Sequence, residues 1–221
     1  MLESPKGRII SKLDMLIFDI GANVGNYAKE NYNASTKIIC VEASPKTFLK
    51  LKENTKENEN IILENFAVSN SKDSHITFYE CSTDTLSTLD LNWLQSDKSR
   101  FGNLPKSVQQ IRVPCISIDS LITKYGVPDL LKVDVEGAED IVLQSLTTKV
   151  PVLCFEWASE WRTVTNNCMN HLVSLGYKSF DIQLEDKYTY RPSNFLFGPD
   201  DVRFFIDSTE DKNQWGMVWA Q

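Results

Sequence analysis

The chain has 221 residues, of which 42% are hydrophobic and 24% charged, and its formal net charge is −7 at pH 7. This is the composition of an ordinary globular protein that is long enough to bury a core without disulfide or metal staples. The acidic balance argues against a nucleic-acid partner, which needs clustered basic residues, and no apolar run approaches the roughly 18 residues of a membrane span.

Short apolar runs alternate with amphipathic stretches along most of the chain. The predicted strands are residues 15–20, 38–42, 61–68, 75–79, 111–118, 130–135 and 150–155, with a terminal antiparallel pair at 177–182 and 194–197. Helices are predicted at residues 26–33, from Pro45 into the polar run 54–60, and at 121–125, 138–146 and 162–175. The alternation predicts a single α/β domain over residues 1–221, with a doubly wound, mostly parallel sheet.

The helix after Pro45 has the clearest start signal. Ser44 is a favourable N-cap, and proline is well tolerated at the first helical position. Phe48, Leu49 and Leu51 follow, and we expect these three side chains to form the buried face of the helix.

Residues 81–110 lack the periodicity of the rest of the chain and are rich in Ser, Thr, Asp and Asn. A long stretch without regular structure inside a compact domain is usually a lid or a binding loop. We therefore interpret this stretch as an insertion or lid over the part of the domain where the substrate binds. Residues 1–14 are interpreted as an N-terminal extension, and residues 199–221 as a C-terminal tail.

A glycine loop after the first strand predicts a cofactor site. Gly21 and Gly25 follow the strand directly, and glycine there lets ligand atoms approach the backbone. Glu42 ends the second strand about 20 residues later, where a carboxylate can accept hydrogen bonds from both hydroxyls of a ribose. These two features together predict a cofactor that contains adenosine.

The residues around this loop narrow the choice of cofactor. Dinucleotide-binding folds have G-x-G-x-x-G, whereas this loop reads G-A-N-V-G and has Asn23 at the middle position. The carboxylate of Asp19 would repel a pyrophosphate and attract the sulfonium and amino groups of S-adenosylmethionine. The sequence therefore favours S-adenosylmethionine, with a nicotinamide dinucleotide as the alternative.

The strand at residues 130–135 carries three charged residues at alternate positions. Since side chains alternate across a strand, Lys132, Asp134 and Glu136 are expected on one side. Facing a cleft, they can keep one another charged and remove a proton from a hydroxyl. Our hypothesis is that Asp134 or Glu136 takes this proton, that Lys132 orients the carboxylates or lowers the pKa of the hydroxyl, and that Glu156 joins them. A purely structural ion pair is the alternative.

Five motifs, in this order, resemble those of the FkbM-type methyltransferases. They are F-D-I-G-A-N-V-G at residues 18–25, V-E-A-S-P at 41–45, N-F-A-V-S at 65–69, the segment 113–121, and L-K-V-D-V-E-G-A-E at 131–139. The last motif makes the resemblance specific, because many methyltransferases share the first. The resemblance runs from about residue 15 to residue 198.

This resemblance implies a class I methyltransferase fold, with a seven-stranded sheet whose last strand is antiparallel. It implies S-adenosylmethionine as methyl donor and O-methylation of a sugar or natural product. By position, the methionine end would be lined by Asp19, Gly21, Asn23 and Gly25. Glu42 would hold the ribose, and Ala67 would lie against the adenine. The expected cofactor-binding residues are Asp19, Gly21, Ala22, Asn23, Gly25, Glu42, Ala43, Ala67 and Asp134.

The remaining expectations concern metals, partners and location. Three acids near one cleft can hold Mg²⁺, but Lys132 among them disfavours it, so we expect no metal. We expect a small-molecule or glycan acceptor, and the alternatives are an RNA ribose methyltransferase and a cofactor-binding module without activity. Five widely spaced cysteines and an N-terminus without an apolar leader predict a cytoplasmic protein.

Overall fold

The structure is a computed structural model that describes residues 15–96, 100–101 and 107–221. The extension predicted at residues 1–14 lies outside these ranges. The strands are β1 (Met15–Ile20), β2 (Thr36–Val41), β3 (Ile61–Glu64), β4 (Ala67–Val68), β5 (His75–Cys81), β6 (Val108–Ile116), β7 (Leu130–Val133), β8 (Val152–Ala158), β9 (Phe180–Leu184) and β10 (Trp215–Ala220). The helices are α1 (Asn26–Asn31), α2 (Pro45–Thr55), α3 (Leu91–Gln95), α4 (Ile118–Tyr125), α5 (Glu139–Leu143), α6 (Arg162–Ser174) and α7 (Pro199–Ser208).

The main sheet of the described chain has seven strands in the order β3-β2-β1-β7-β8-β10-β9. Neighbouring strands pair in parallel from β3 to β8, and β10 runs antiparallel to both β8 and β9. The predicted fold class is therefore confirmed. The strand order reverses between β1 and β7, and such a reversal leaves a crevice at the carboxyl ends of the strands where α/β sheets bind ligands.

The central strands are buried because both of their faces are covered. Phe18 and Ile20 of β1 pack in one apolar cluster with Val142 and Leu143, whereas Ile17 packs in a second cluster on the other face. Burying each such side chain stabilises the fold by about 1.5–3 kcal/mol. This two-sided burial explains why β1 reads as an unbroken apolar run.

The strand predicted over residues 61–68 is interrupted. Its first half, β3, lies in the main sheet, and Ala67–Val68 pairs with β6 in a second sheet of order β4-β6-β5. The side-chain amide of Asn65 at the break donates hydrogen bonds to the backbone oxygens of Glu42 (2.8 Å) and Ala43 (3.3 Å). These bonds fix the chain where it leaves the main sheet.

The second helix begins as predicted. The hydroxyl of Ser44 accepts the Thr47 N–H at 3.1 Å, and Leu51 is buried. The predicted apolar face is wrong in part, because Leu49 is 68% exposed. Thr47 and Thr55 are buried instead, since they lie four residues before and after Leu51 on the same helical face.

The predicted pairing at the C-terminal end is wrong. Residues 177–182 and 194–197 share only an isolated bridge between Phe180 and Phe197, and the partner of β9 is β10. The stretch 199–221, expected as a tail, therefore forms α7 and a strand of the main sheet. The β10 sequence W-G-M-V-W-A is apolar at nearly every position because the strand is buried on both faces.

The stretch at residues 81–110 contains more regular structure than expected. It forms a short 3-10 turn at Asp84–Leu86, helix α3 and the first residues of β6. The carboxylate of Asp90 caps α3 by accepting the Asn92 N–H at 2.9 Å. Residues 97–99 and 102–106 of the predicted lid lie outside the described residues.

Candidate active site

A cavity of about 650 Å³ opens at the carboxyl ends of the central strands. Its walls come from the loops after β1, β2 and β7, from residues 66–68, from Glu156 within β8, from the predicted lid and from the C-terminal part of the chain. Of the predicted site residues, those that line it are Gly21, Ala22, Asn23, Glu42, Ala43, Ala67, Lys132, Asp134, Glu136 and Glu156. Two others, Asp19 and Gly25, are not among its lining residues.

Gly21 is required by the contact between β1 and β7. Its φ is +80°, and a Cβ at this position would lie 1.8 Å from the backbone oxygen of Asp134. The N–H groups of Gly21 and Ala22 both donate to the backbone oxygen of Val41, at 2.9 and 3.0 Å. The loop is thereby held against the ends of β2 and β7, with its backbone on the cavity wall.

Gly25 has a packing role in the structure. Its φ is +87°, and a Cβ there would lie 2.8 Å from Leu51 and 3.0 Å from Thr55. Gly25 starts α1 and allows that helix to pack closely on α2. The space where a Cβ would stand is filled by α2, and the expectation that Gly25 lines the methionine end stays a prediction.

Glu42 stands at the end of β2 with its carboxylate on the cavity wall. One carboxylate oxygen accepts the Asn23 N–H at 3.0 Å and the other accepts the Ser44 N–H at 2.8 Å. Burial raises the pKa of Glu42 to about 7, although these hydrogen bonds act in the opposite direction. Each carboxylate oxygen keeps a further lone pair that a ligand hydroxyl can use.

Asp19 lies beneath the cavity rather than in its wall. The residue is fully buried, and neither of its carboxylate oxygens has a hydrogen-bond partner among the described residues. The Lys132 ammonium lies 3.8 Å away. Burial raises the pKa of Asp19 to about 6, the charge of Lys132 lowers it, and Asp134 and Asp186 raise it further. Asp19 thus lies behind Lys132, and its contact with the methionine end stays a prediction.

Lys132 is a buried cation among carboxylates. Its ammonium donates to the Asp134 carboxylate at 2.8 Å and lies 5.2 Å from the centre of the Tyr27 ring. Burial opposes the charge, but attraction to Asp134, Asp19 and Asp186 outweighs burial and raises the pKa of Lys132 well above its usual value. The side chain therefore remains charged at neutral pH.

The strand that carries Lys132 ends earlier than predicted. β7 stops at Val133, and the chain then turns through Glu136 (φ +59°) and Gly137 (φ +83°). Alternation along a strand therefore does not explain where Glu136 lies. The turn nevertheless brings three acids together, because Asp134, Glu136 and Glu156 offer carboxylate oxygens within 4.8 Å of one another.

The acid Glu139 stabilises this turn. Its carboxylate accepts the N–H groups of Val135 at 3.1 Å and Gly137 at 3.2 Å. Burial raises the pKa of Glu139 to about 7. The side chain lies at the first residue of α5, so it serves the backbone around the helix start rather than the cavity.

Glu136 and Glu156 form the acidic wall of the cavity. Oxygen Oε2 of Glu136 is buried and has no hydrogen-bond partner within the described chain. Burial and the negative charge of Asp134 raise the pKa of Glu136 well above its ordinary value. Burial and the charge of Glu136 likewise raise the pKa of Glu156.

The predicted lid is anchored to the turn after β7. The Thr88 hydroxyl donates to the backbone oxygen of Glu136 at 2.7 Å. The Trp93 ring lies so close to Gly137 that a Cβ on this glycine would be 2.3 Å from it. No local sequence pattern links Thr88 to Glu136 or Trp93 to Gly137.

Arg100 is a site residue that the sequence did not reveal. Its guanidinium donates to Glu156 at 2.7 Å and lies 3.4 Å from Glu160. It also stacks 4.9 Å from the Phe101 ring and 5.1 Å from the Trp215 ring. A lone arginine in an aperiodic stretch has no spacing that would identify it. Asp186, Tyr188 and Trp215 line the cavity as well and were also missed.

The three carboxylates on the cavity wall have the donor chemistry of a site for a hard divalent cation. Two of them already face nitrogen cations, because Asp134 bonds Lys132 and Glu156 bonds Arg100. Glu136 is the acid of this group whose charge is least balanced.

The sequence matches the family model of the methyltransferase FkbM domain over residues 19–178. No curated protein matches it. Among solved structures, the precorrin-6Y C5,15-methyltransferase of Geobacter metallireducens is similar at 13% identity and a TM-score of 0.46, covering 95% of this chain and 81% of that one. Aeropyrum pernix fibrillarin with bound S-adenosyl-L-methionine is similar at 11% and 0.48, covering 95% and 67%. The chain belongs to the FkbM family of S-adenosylmethionine-dependent methyltransferases.

Proposed function

We propose that this protein transfers the methyl group of S-adenosylmethionine to a hydroxyl oxygen of a small-molecule or glycan acceptor. The observation that carries this proposal is the group of three acids on the cavity wall, where carboxylate oxygens of Asp134, Glu136 and Glu156 lie within 4.8 Å of one another. Such a group can take the proton of a hydroxyl that binds in the cavity.

One half of the cavity, lined by residues 21–23, Glu42, Ala43 and Ala67, fits the cofactor and is called the cofactor half below. Glu42 has lone pairs directed at the cavity, as ribose binding requires, and Ala43 and Ala67 provide small apolar walls for an adenine ring. The backbone of residues 21–23 leaves room for the methionine part. When bound, S-adenosylmethionine supplies a methyl group on a positively charged sulfur, and the sulfur keeps the electrons of the carbon–sulfur bond as the methyl passes to the acceptor oxygen.

We assign the proton transfer to Glu136 rather than Asp134. A carboxylate oxygen of Asp134 is bonded to the Lys132 ammonium and one of Glu156 to Arg100, whereas Glu136 forms neither of these two ion pairs. A carboxylate with a raised pKa is also a stronger base than an ordinary one. Lys132 stays protonated and orients Asp134, so its role is positioning. Glu156, paired with Arg100, closes the acceptor side.

We further propose that no metal takes part, because Lys132 and Arg100 occupy two of the three carboxylates that would hold it. The acidic chain disfavours RNA as acceptor. For location we propose the cytoplasm, on the basis that all five cysteines are free thiols. Within the described residues, no helix is both long and apolar enough to cross a membrane.

The cofactor part of the proposal is tested by titration calorimetry of the protein with S-adenosylhomocysteine and, separately, with NAD. We expect saturable binding of the first compound and none of the second. Binding of NAD alone would contradict the assignment of the cavity to a methyl donor.

The acceptor part is tested with methyl-labelled S-adenosylmethionine and separate metabolite, glycan and RNA fractions. We expect alkali-stable label, as in a methyl ether, in the metabolite or glycan fraction. Label that appears only in RNA would reverse the choice of acceptor.

Parallel reactions with EDTA, with and without added Mg²⁺, test whether a metal takes part. Loss of activity that Mg²⁺ restores would show that the three acids bind a metal.

A further inference from the structure

The segment after β9, residues 185–191, forms a strap across the site, and it is called the strap below. Its end is bonded to α1 through Arg191, whose guanidinium donates to the Tyr27 hydroxyl at 3.0 Å and to the side-chain oxygen of Asn31 at 2.6 Å. The Asn31 amide in turn donates to the backbone oxygen of Tyr188 at 3.0 Å. The strap is therefore attached to the helix that follows the glycine loop.

Aromatic rings attach the strap to the sheet as well. Tyr188 meets Tyr27 edge to face with ring centres 6.1 Å apart, and Tyr190 meets Trp219 of β10 at 5.9 Å. The Arg191 guanidinium lies 5.8 Å from the Tyr27 ring and 5.6 Å from the Trp219 ring. Such contacts on two elements hold the strap in one position.

This position brings two strap residues into the wall of the cavity. Asp186 and Tyr188 line it together with Tyr27 and Lys132, next to the loop at residues 21–24. The strap also lies beyond residues 19–178, so the family match does not include it.

Among the described residues, Lys132 is the cation that lies against the carboxylates at this end, because the Arg191 guanidinium is bonded to Tyr27 and Asn31 instead. Asp19 is buried behind Lys132, and Asp134 is bonded to the same ammonium. Burial raises the pKa of Asp186 to about 6, while Lys132 lowers it and Asp134 raises it. Three carboxylates therefore share the charge of Lys132, and Asp186 is the one of them that reaches the cavity from the strap.

We propose that Asp186 binds the α-ammonium group of the methionine part of the cofactor, and that Tyr188 closes the cavity beside it. This inference rests on the proposed cofactor site. The ammonium group is a cation with three N–H donors, so it supplies the charge that this end of the cavity lacks. Asp186 thus takes the role that the sequence assigned to Asp19.

The test compares two ligands that differ in the amino acid part, which carries this ammonium group and a carboxylate. S-adenosylhomocysteine carries the amino acid part, whereas 5′-methylthioadenosine has the same adenosine and sulfur without it. In the full-length Asp186→Asn variant, we expect the Kd for S-adenosylhomocysteine to rise about 10- to 100-fold, as for a lost charge-assisted bond. The Kd for 5′-methylthioadenosine should change less than about twofold.

The matched control is Glu185→Gln, which removes the same charge from an exposed neighbour in the strap. It should leave both affinities unchanged. If Asp186→Asn leaves the binding of S-adenosylhomocysteine unchanged, or weakens both ligands equally, the inference is overturned while the proposed function stands. If the unaltered protein binds neither ligand, the proposed function itself fails. Thermal unfolding of each variant shows whether the strap has stayed folded.

Discussion

The two halves of the cavity are built by different means. The half that we propose for the cofactor uses the backbone at the ends of β1 and β2, where the Gly21 N–H donates to the Val41 backbone oxygen and the Asn23 N–H donates to the Glu42 carboxylate. The half that we propose for the acceptor uses side chains from distant segments, as when Arg100 bonds Glu156 or Trp93 covers Gly137. Main-chain geometry fixes the first half, and contacts between loops fix the second.

This difference explains why the residues of the cofactor half could be identified from the sequence and the contacts of the other half could not. A turn that needs glycine leaves a local motif, and a buried strand leaves an apolar run beside it. A contact between Arg100 and Glu156 joins residues 56 positions apart, and neither neighbourhood contains a repeat or spacing that reports it.

The largest expected effect is in the acceptor half. Glu136→Gln should lower kcat about 100- to 10,000-fold on the acceptor found by labelling, because an amide oxygen cannot take the hydroxyl proton. The Kd for S-adenosylhomocysteine should stay within about twofold. Glu53→Gln, an exposed change on α2, is the control. Full turnover by the Glu136 variant would place the base elsewhere.

The pH dependence of the same reaction gives a second readout. Glu136 must be ionised to accept a proton, so the activity of the unaltered protein should fall as the pH drops through the raised pKa of this carboxyl. The residual activity of Glu136→Gln should lack this fall. A pH profile that is identical in both proteins would contradict the assignment.

The next effect concerns Asp19, which is buried beneath the cavity. The pKa of Asp19 rises from 3.8 to about 6 on folding, so the folded state binds this proton more tightly. The resulting stabilisation is present below about pH 4 and is lost as the pH rises through 6, a change of about 3 kcal/mol. The Asp19→Asn variant has no ionisable group at this position. The difference between its free energy of unfolding and that of the unaltered protein should therefore shift in favour of the variant by about 3 kcal/mol between pH 4 and pH 8.

Urea unfolding at both pH values measures this difference. The exposed Asp207→Asn change on α7 is the control and should show no such trend. A constant difference between the Asp19 variant and the unaltered protein would mean that this carboxyl titrates normally.

A smaller effect is expected at the ribose position. Glu42→Gln should weaken S-adenosylhomocysteine and 5′-methylthioadenosine equally, about 10- to 30-fold, because both contain the ribose. If Glu42→Gln weakens the binding of both ligands equally and Asp186→Asn weakens only that of S-adenosylhomocysteine, the cofactor half consists of an adenosine part and a methionine part. The exposed Glu59→Gln change serves as control. If the Glu42 variant bound 5′-methylthioadenosine normally, Glu42 would not hold the ribose.

The smallest expected effect returns to the acceptor half. Arg100→Lys keeps the charge but loses the planar group that bonds Glu156 and stacks on Phe101 and Trp215. The KM for the acceptor should rise about three- to tenfold, or roughly 1 kcal/mol, with cofactor affinity unchanged. Arg203→Lys on α7 is the control. A change in cofactor affinity alone would assign Arg100 to the other half.

Most of the fold was predictable because local signals agreed with it. The apolar runs of β1 and β2, the Ser44 cap and the glycine turn each depend on neighbours in sequence. The strand β10 was missed because its pairing with β8 and β9 depends on residues far away in the chain. The interruption of residues 61–68 was missed for the same reason, since Asn65 bonds Glu42 and Ala43.

The site was predictable to a lesser degree. Lys132, Asp134, Glu136 and Glu156 do line one cavity, although Glu136 reaches it through a left-handed turn rather than by strand alternation. A φ of +59° at a glutamate depends on tertiary contacts such as the Thr88 bond, which no local pattern encodes. For Asp19 and Gly25, the motif does not distinguish residues that touch a ligand from residues that support the loop.

The place of β10 between β8 and β9 has a consequence for how the molecule assembles during synthesis. A ribosome makes β8 and β9 before β10, so the edge of β8 stays unpaired until Trp215–Ala220 has emerged. The strap packs on Trp219, so it also waits for that strand. The nascent chain can form the glycine turn early, whereas the wall that carries Asp186 is completed last. An open β8 edge in the meantime is a site where nascent chains can associate wrongly.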